Sequence, residues 1–379
     1  MTELKALKDF FNGRTVLLTG HTGFKGSYMT VLLSLLGARV YGYALKPDTD
    51  PRLFDILYGD GASSVSGKDL RVRTSTDIDT GSGIIESCIG DIRDMDRLES
   101  FYSRIRPEIV IHMAAQPIVR ESYRIPRETY EINVMGTVNI LECIRRYPGC
   151  ISFLNVTTDK VYFNEERPGY GYREDDKLDG FDPYANSKSC SELATHSYYL
   201  SFLKEQGTAV STARAGNVIG GGDFSADRII PDCVRAAVNG SELILRNPGS
   251  IRPYQHVFEP LFVYLDIVMK QALDQGYSGW YNVGPDKDDC VTTGALCGMF
   301  VEEYRDVRVT VPECPSGPHE AGLLLLDNTK IKEVLGWRPV WHIREAVAAI
   351  CRWTKAWQSG GTQANDELLR QITEYTEGL

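Results

Sequence analysis

A strand that runs straight into a glycine turn and then a helix constrains this chain more than any other feature. Arg14 to Thr19 reads as a fully buried strand, Gly20-His21-Thr22-Gly23-Phe24-Lys25-Gly26 as the turn, and Tyr28 to Leu36 as the apolar run of a helix. In that context the glycines permit a tight turn and let backbone N–H groups approach a pyrophosphate at the helix N-terminus. Gly20, Thr22, Gly23, Phe24 and Gly26 would then lie against a dinucleotide. The spacing is GxxGxxG rather than GxGxxG, and a glycine turn without a ligand is the competing reading.

The βα pattern then repeats. A second strand, Ala38 to Ala44, ends in Leu45-Lys46 without the acid that would hydrogen-bond a ribose 2′-OH, so this strand end leaves NAD and NADP both open. From Pro47 to Gly83 the chain is polar and rich in Gly, Ser, Thr and Asp, as in a mobile loop or a surface excursion near an adenosine. In Gly90-Asp91-Ile92-Arg93-Asp94, Asp91 and Ile92 suit the adenine end of a dinucleotide, while Asp94 reads equally well as a helix N-cap. A strand over residues 107–113 ends in Ala114-Ala115-Gln116, small enough for a dinucleotide to lie on the backbone, or for a helix to pack tightly. Helical patterns over 127–146, carrying Asn133, and over 184–203 alternate with strands over 151–156 and 208–213. The result is a doubly wound α/β fold with a parallel sheet. After a glycine-rich run, Gly216 to Gly222, comes a smaller α/β region that ends in an amphipathic helix over 343–357.

The polar groups concentrate at one strand end. The strand over 151–156 leads directly into Thr157-Thr158-Asp159-Lys160, and Tyr184 and Lys188 follow at i and i+4, neighbours on one helix face. Open α/β sheets bind their ligands at the carboxyl ends of the strands, so a hydroxyl, a carboxyl, two amines and a phenol converge where chemistry is expected. An Asp159–Lys160 ion pair that only shapes the loop is the alternative.

Composition narrows the class. At 379 residues, with 42% hydrophobic and 24% charged, the chain suits one large or two medium globular domains. A net charge of −10 argues against nucleic acid or an anionic membrane as partner. Nine scattered cysteines without a CxxC pair indicate neither a disulfide framework nor a metal site, which suits a reducing cytoplasm. The first residues carry acids and no long apolar run, so no signal peptide is expected, and no membrane span is either.

The stretches GHTGFKGS (20–27), HMAAQP (112–117), DKVY (159–162), GYRE (171–174), DPY (182–184), RAGNVIGGGD (214–223) and RPYQHV (252–257) carry a family likeness. The chain resembles the extended short-chain dehydrogenase/reductase family, and within it the sugar-nucleotide 4,6-dehydratases that act on CDP-D-glucose. The resemblance implies a Rossmann-type NAD-binding domain (1–213 plus about 253–283) and a smaller C-terminal α/β sugar-nucleotide domain (about 214–252 plus 284–379). It also implies NAD, loss of hydride from C4, elimination of water across C5 and C6, and return of hydride to C6. Tyr184 would be the base at C4, its phenolate favoured by Lys188, which also holds the cofactor ribose; Thr158 would hold the C4 oxygen, and Asn133 would order a water or a backbone kink beside Lys188. Asp159 would be the acid for the leaving 6-OH, its proton held by burial. Lys160 would be the base for C5, provided that desolvation lowers its pKa. Asn217, Arg228, Arg252, Tyr254 and His256 would bind the nucleotide sugar. Two departures stand out: the 47–83 segment is long for the family, and Tyr254 replaces its usual Trp. Helices over 118–146 and 184–207 are where this family forms a homodimer, possibly a tetramer. An inverting UDP-N-acetylglucosamine dehydratase shares the Thr-Asp-Lys order, and a non-catalytic NAD(H)-sensing protein would share the fold.

Overall fold

A computed structural model describes residues 4–75, 83–305, 307–312 and 322–379. Its main sheet has eight strands: β1 (Thr15–Thr19), β2 (Arg39–Ala44), β3 (Gly67–Arg71), β4 (Gly83–Ile89), β5 (Ile109–His112), β6 (Ser152–Val156), β7 (Ala209–Ala215) and β8 (Trp280–Val283), in the order β8-β7-β6-β5-β1-β2-β4-β3. Each neighbouring pair runs parallel except β3 with β4. The strand order reverses between β1 and β5, and the crevice beyond their carboxyl ends is the ligand position of such sheets.

Strands in the middle of a sheet covered on both faces should be apolar throughout, and β5, β6 and β7 are buried at every residue. Successive side chains point to opposite faces: Val16 and Leu18 join one hydrophobic core and Leu17 another. The first core also takes in the helices Phe24–Leu35, Phe258–Leu273 and Gly361–Glu377, and the second Met95–Ile105 and Gly136–Arg146. A separate cluster joins Ile229–Asn239, Thr293–Tyr304 and the start of Ile343–Ser359 into a smaller lobe beside the strand ends.

The polar stretch after β2 is more ordered than its composition suggests. Leu53–Tyr58 is a helix whose Phe54 and Leu57 are fully buried, and β3 pairs with β4 to extend the sheet. Asn365, on the Gly361–Glu377 helix, locks this excursion in place by donating to the carbonyls of Ile56 at 2.9 Å and Arg73 at 2.8 Å. A few apolar residues at helical spacing outweigh the surrounding Gly, Ser and Asp, so the mobile-loop expectation is corrected for residues 47–75. Residues 76–82, the rest of that stretch, lie outside the described residues.

Candidate active site

β6 delivers the catalytic candidates. Thr157 extends the ladder by donating its N–H to Ala213 O at 2.9 Å, and Thr158 then opens a single 3-10 turn, Asp159–Val161. The turn folds Asp159 and Lys160 toward each other. Asp159, fully buried, accepts from Thr158 Oγ1 at 2.9 Å and from Lys160 Nζ at 3.0 Å, both on Oδ1. Lys160 Nζ also donates to Asn217 Oδ1 at 3.2 Å. Asp159 Oδ2 is buried with no hydrogen-bond partner among the described residues.

The Pro183–Tyr198 helix brings up the second pair. Asp182 caps it by accepting from Ala185 N at 2.9 Å, and Pro183 occupies the first turn, where its missing N–H costs nothing. Tyr184 lies beside Thr158, which favours its ionised form, yet burial pushes its phenol up to about 12. That is opposite in direction to the lowered phenol expected from a neighbouring lysine. The reason is local: Lys188 spends its Nζ on Val156 O at 2.9 Å, and its own pKa is drawn down to about 8 by burial. Desolvation therefore dominates both groups.

Asn133 sits in a π turn, Glu131–Met135, that interrupts the helical run before Gly136–Arg146. Its Oδ1 accepts from Gln116 N at 2.8 Å, and its Nδ2 donates to Gln116 O at 3.1 Å and Ser187 Oγ at 2.9 Å. It therefore ties the exit of β5 to the helix of Tyr184 and Lys188, one residue from Lys188.

The glycine turn is suited to an anion. Gly23 starts the Phe24–Leu35 helix, with no capping side-chain hydrogen bond among the described residues and no acid in its first turn, so no such side chain competes with an anion for the helix N-terminus. A Cβ on Gly20 would lie 2.7 Å from Ala114 N, and one on Gly26 2.0 Å from Gly20 O, so close backbone approach demands glycine at both. Thr22 Oγ1 donates to Leu45 O at 2.6 Å, Phe24 packs edge-on to Tyr28, and Ala114 N reaches Thr19 Oγ1 at 3.2 Å. Ala115 follows it on the same crossing. Asp91 is held by Arg93 at 2.6 Å, the Ile92 side chain is in the second core, and Asp94 is the N-cap of Met95–Ile105. The Gln116 side chain is spent internally, accepting from Ile118 N and donating to Thr129.

A cavity of about 370 Å3 opens between the sheet ends and the smaller lobe, a size suited to a small ligand. Thr158, Lys160, Tyr184, Asn217, Arg228, Arg252 and Tyr254 all line it. Asp159 does not line it and sits one hydrogen bond behind Lys160 and Thr158, and Lys188 does not line it either. Arg228 leans on the buried Asp223 at 3.2 Å, and the Tyr254 hydroxyl shares a hydrogen bond with Thr293 at 2.9 Å. His256 stands apart: fully buried, it packs against Phe258 and Trp341, and its Nδ1 accepts from Phe258 N at 3.3 Å. Burial holds it neutral, with a pKa near 3, written into the core rather than the cavity.

Sequence reasoning passed over Lys25. It lines the cavity, and burial together with the nearby Lys188 and Arg228 brings its pKa down to about 7. A lysine inside a glycine turn was the available signal.

The sequence model of the GDP-mannose 4,6 dehydratase family matches residues 17–350. A CDP-glucose 4,6-dehydratase of Salmonella typhimurium is 41% identical, with 97% of this chain and 98% of the relative covered. Among solved structures, a Thermus thermophilus UDP-glucose 4-epimerase in complex with NAD superposes with a TM-score of 0.72 at 23% identity, covering 90% of this chain and 98% of that one. A Bacillus anthracis dTDP-glucose 4,6-dehydratase in complex with NAD gives 0.68 at 19%, covering 90% and 97%.

Proposed function

The chain belongs to the GDP-mannose 4,6 dehydratase family, and from that premise we propose that it is an NAD-dependent CDP-D-glucose 4,6-dehydratase. One observation carries the proposal beyond the family: Lys160, which lines the cavity together with Thr158 and Tyr184, is ion-paired at 3.0 Å to the fully buried Asp159 behind it. A 4-epimerase needs the redox groups and has no use for an acid–base pair beside them.

The residues around the glycine turn fit NAD, with Gly20, Gly23 and Gly26 against the pyrophosphate and Lys188 near the ribose. When bound, NAD accepts hydride from C4 and returns it at C6. Thr158 holds the C4 oxygen while Tyr184 takes the hydroxyl proton. Because burial holds the ligand-free phenol protonated, Tyr184 must first release its own proton to act as base, a change that the positive charge of a bound nicotinamide would favour. The new C4 ketone acidifies C5, whose proton passes to Lys160 once Lys160 has handed its own ammonium proton across the 3.0 Å contact to Asp159. Asp159, one hydrogen bond behind, supplies the proton that leaves with the 6-hydroxyl as water. Arg228 and Arg252 hold the diphosphate, where a guanidinium fork matches phosphate oxygens. The eight cysteines among the described residues are free thiols, and no helix among those residues is long and apolar enough to cross a membrane, both in keeping with a cytoplasmic enzyme. Met135, Leu193, Leu200 and Phe202 leave apolar surface exposed on the helical segments over 118–146 and 184–207, which supports a homodimer built there, a state that sedimentation velocity reads directly.

The test is a substrate panel. Incubated with CDP-D-glucose or UDP-N-acetylglucosamine, the protein is expected to convert the first to a 4-keto-6-deoxy product that absorbs strongly in alkali. Conversion of the UDP sugar alone would move the assignment to the inverting dehydratases.

A further inference from the structure

The Thr158–Val161 segment carries both the hydroxyl of the redox step and the acid–base pair of the elimination. Its seating against the Pro183–Tyr198 helix therefore decides whether the two half-reactions share one substrate pose. One buried ion pair grips this segment at both ends. The side chains of Glu192 and Arg214 are each 2% exposed, with Arg214 Nη2 2.9 Å from Oε2 and Nε 3.1 Å from Oε1 of the carboxylate. Before the turn, Thr157 Oγ1 donates to Glu192 Oε1. After it, the Tyr162 phenol accepts from Arg214 Nη1 at 2.8 Å and donates to Asn282 Oδ1 at 2.6 Å. Glu192 follows Lys188 by four residues and Tyr184 by eight, so one helix face carries the phenol, the amine and the carboxylate. A third hydroxyl, Thr212 Oγ1, reaches Glu192 Oε2 at 2.6 Å from within β7 and has no place in the turn.

Burying two opposite charges costs desolvation that their attraction barely offsets, so such a pair contributes little net stability and is better suited to fixing one arrangement. We propose that Glu192 is a positioning residue: through Thr157 on one side, and Arg214 with Tyr162 on the other, it fixes the catalytic turn to the helix bearing Tyr184 and Lys188. This rests on the roles proposed above for Thr158, Asp159, Lys160 and Tyr184. It adds Glu192 and Arg214, which do not line the cavity and yet govern both half-reactions.

Two variants separate positioning from stability, because each removes one buried hydroxyl bonded to the same carboxylate at nearly constant volume and leaves the ion pair intact. Thr157→Val is expected to lower kcat on CDP-D-glucose by about 10- to 100-fold with KM within about threefold, the scale of a small misplacement of reacting groups. Thr157→Ser restores kcat to within about threefold of wild type, since the donor returns. Thr212→Val loses thermal stability comparably and keeps kcat within about threefold, because its hydroxyl does not reach the turn. A Thr157→Val enzyme as fast as wild type, or a Thr212→Val enzyme equally slowed, would overturn the proposal. Should Thr157→Val fail to fold, Tyr162→Phe cuts the link at the other end of the turn and is judged by the same kcat criterion. Wild type assayed alongside keeps the two claims apart: if it ignores CDP-D-glucose, the substrate assignment fails, and the variants are compared on whichever sugar nucleotide it converts.

Discussion

Tyr184→Phe is expected to bind NAD and CDP-D-glucose almost as wild type does and to lose C4 oxidation by about 100- to 10,000-fold, the usual worth of a positioned general base. The ring is almost fully buried beside Thr158, and phenylalanine preserves that packing, so the loss isolates one oxygen atom. The effect should be large because neither Lys188 nor Thr158 is free to substitute. Lys188 Nζ is engaged by Val156 O, and Thr158 Oγ1 already donates to Asp159. Stopped-flow absorbance of the reduced nicotinamide reports the step directly. A transient of unchanged amplitude and rate in the variant would remove Tyr184 from the role of base.

Lys160→Met is expected to stop the reaction one step later. Methionine fills most of the space of the lysine stem, so cofactor binding persists and C4 oxidation survives at most, while water loss falls by about 100- to 10,000-fold with the base gone. Reduced nicotinamide should accumulate with an oxidised, undehydrated sugar, and product NMR should show no 6-deoxy methyl signal. The same substitution strips Asp159 Oδ1 of its cation at 3.0 Å and leaves a fully buried carboxylate with Thr158 as its one hydrogen-bond partner among the described residues. Some loss of stability accompanies the catalytic effect, since an uncompensated buried charge is costly. Dehydration at the wild-type rate would show that the pair merely shapes the loop.

The sheet and its ligand crevice were legible in the sequence because they rest on local rules: apolar runs of strand length, glycines at a strand-to-helix turn, and helical spacing between. Tyr184 and Lys188 were legible for the same reason, i and i+4 on a helix being a fixed geometry. What depends on burial was not. The direction of the Tyr184 shift follows from how little water reaches it, and His256 lies in the core because Phe258 and Trp341 close over it. Nor could spacing show that Asp159 sits behind Lys160 rather than beside it, since that depends on how tightly one 3-10 turn is wound. Part of the order in residues 47–75 comes from Asn365, which bonds Ile56 from 309 positions away and Arg73 from 292. Nothing in the local sequence marks Glu192, because Arg214, Thr157 and Thr212 reach it only through the fold.

The central claim is that oxidation at C4 and elimination at C5 and C6 occur on one sugar within one turnover. The most direct measurement follows a label: CDP-D-glucose carrying deuterium at C4 is incubated with the wild-type protein, and the product is read by NMR and mass spectrometry. The expected product is a 4-keto-6-deoxy sugar with the deuterium in its C6 methyl group. Deuterium kept at C4 of a sugar that still has its 6-hydroxyl, or lost to solvent, would contradict the claim.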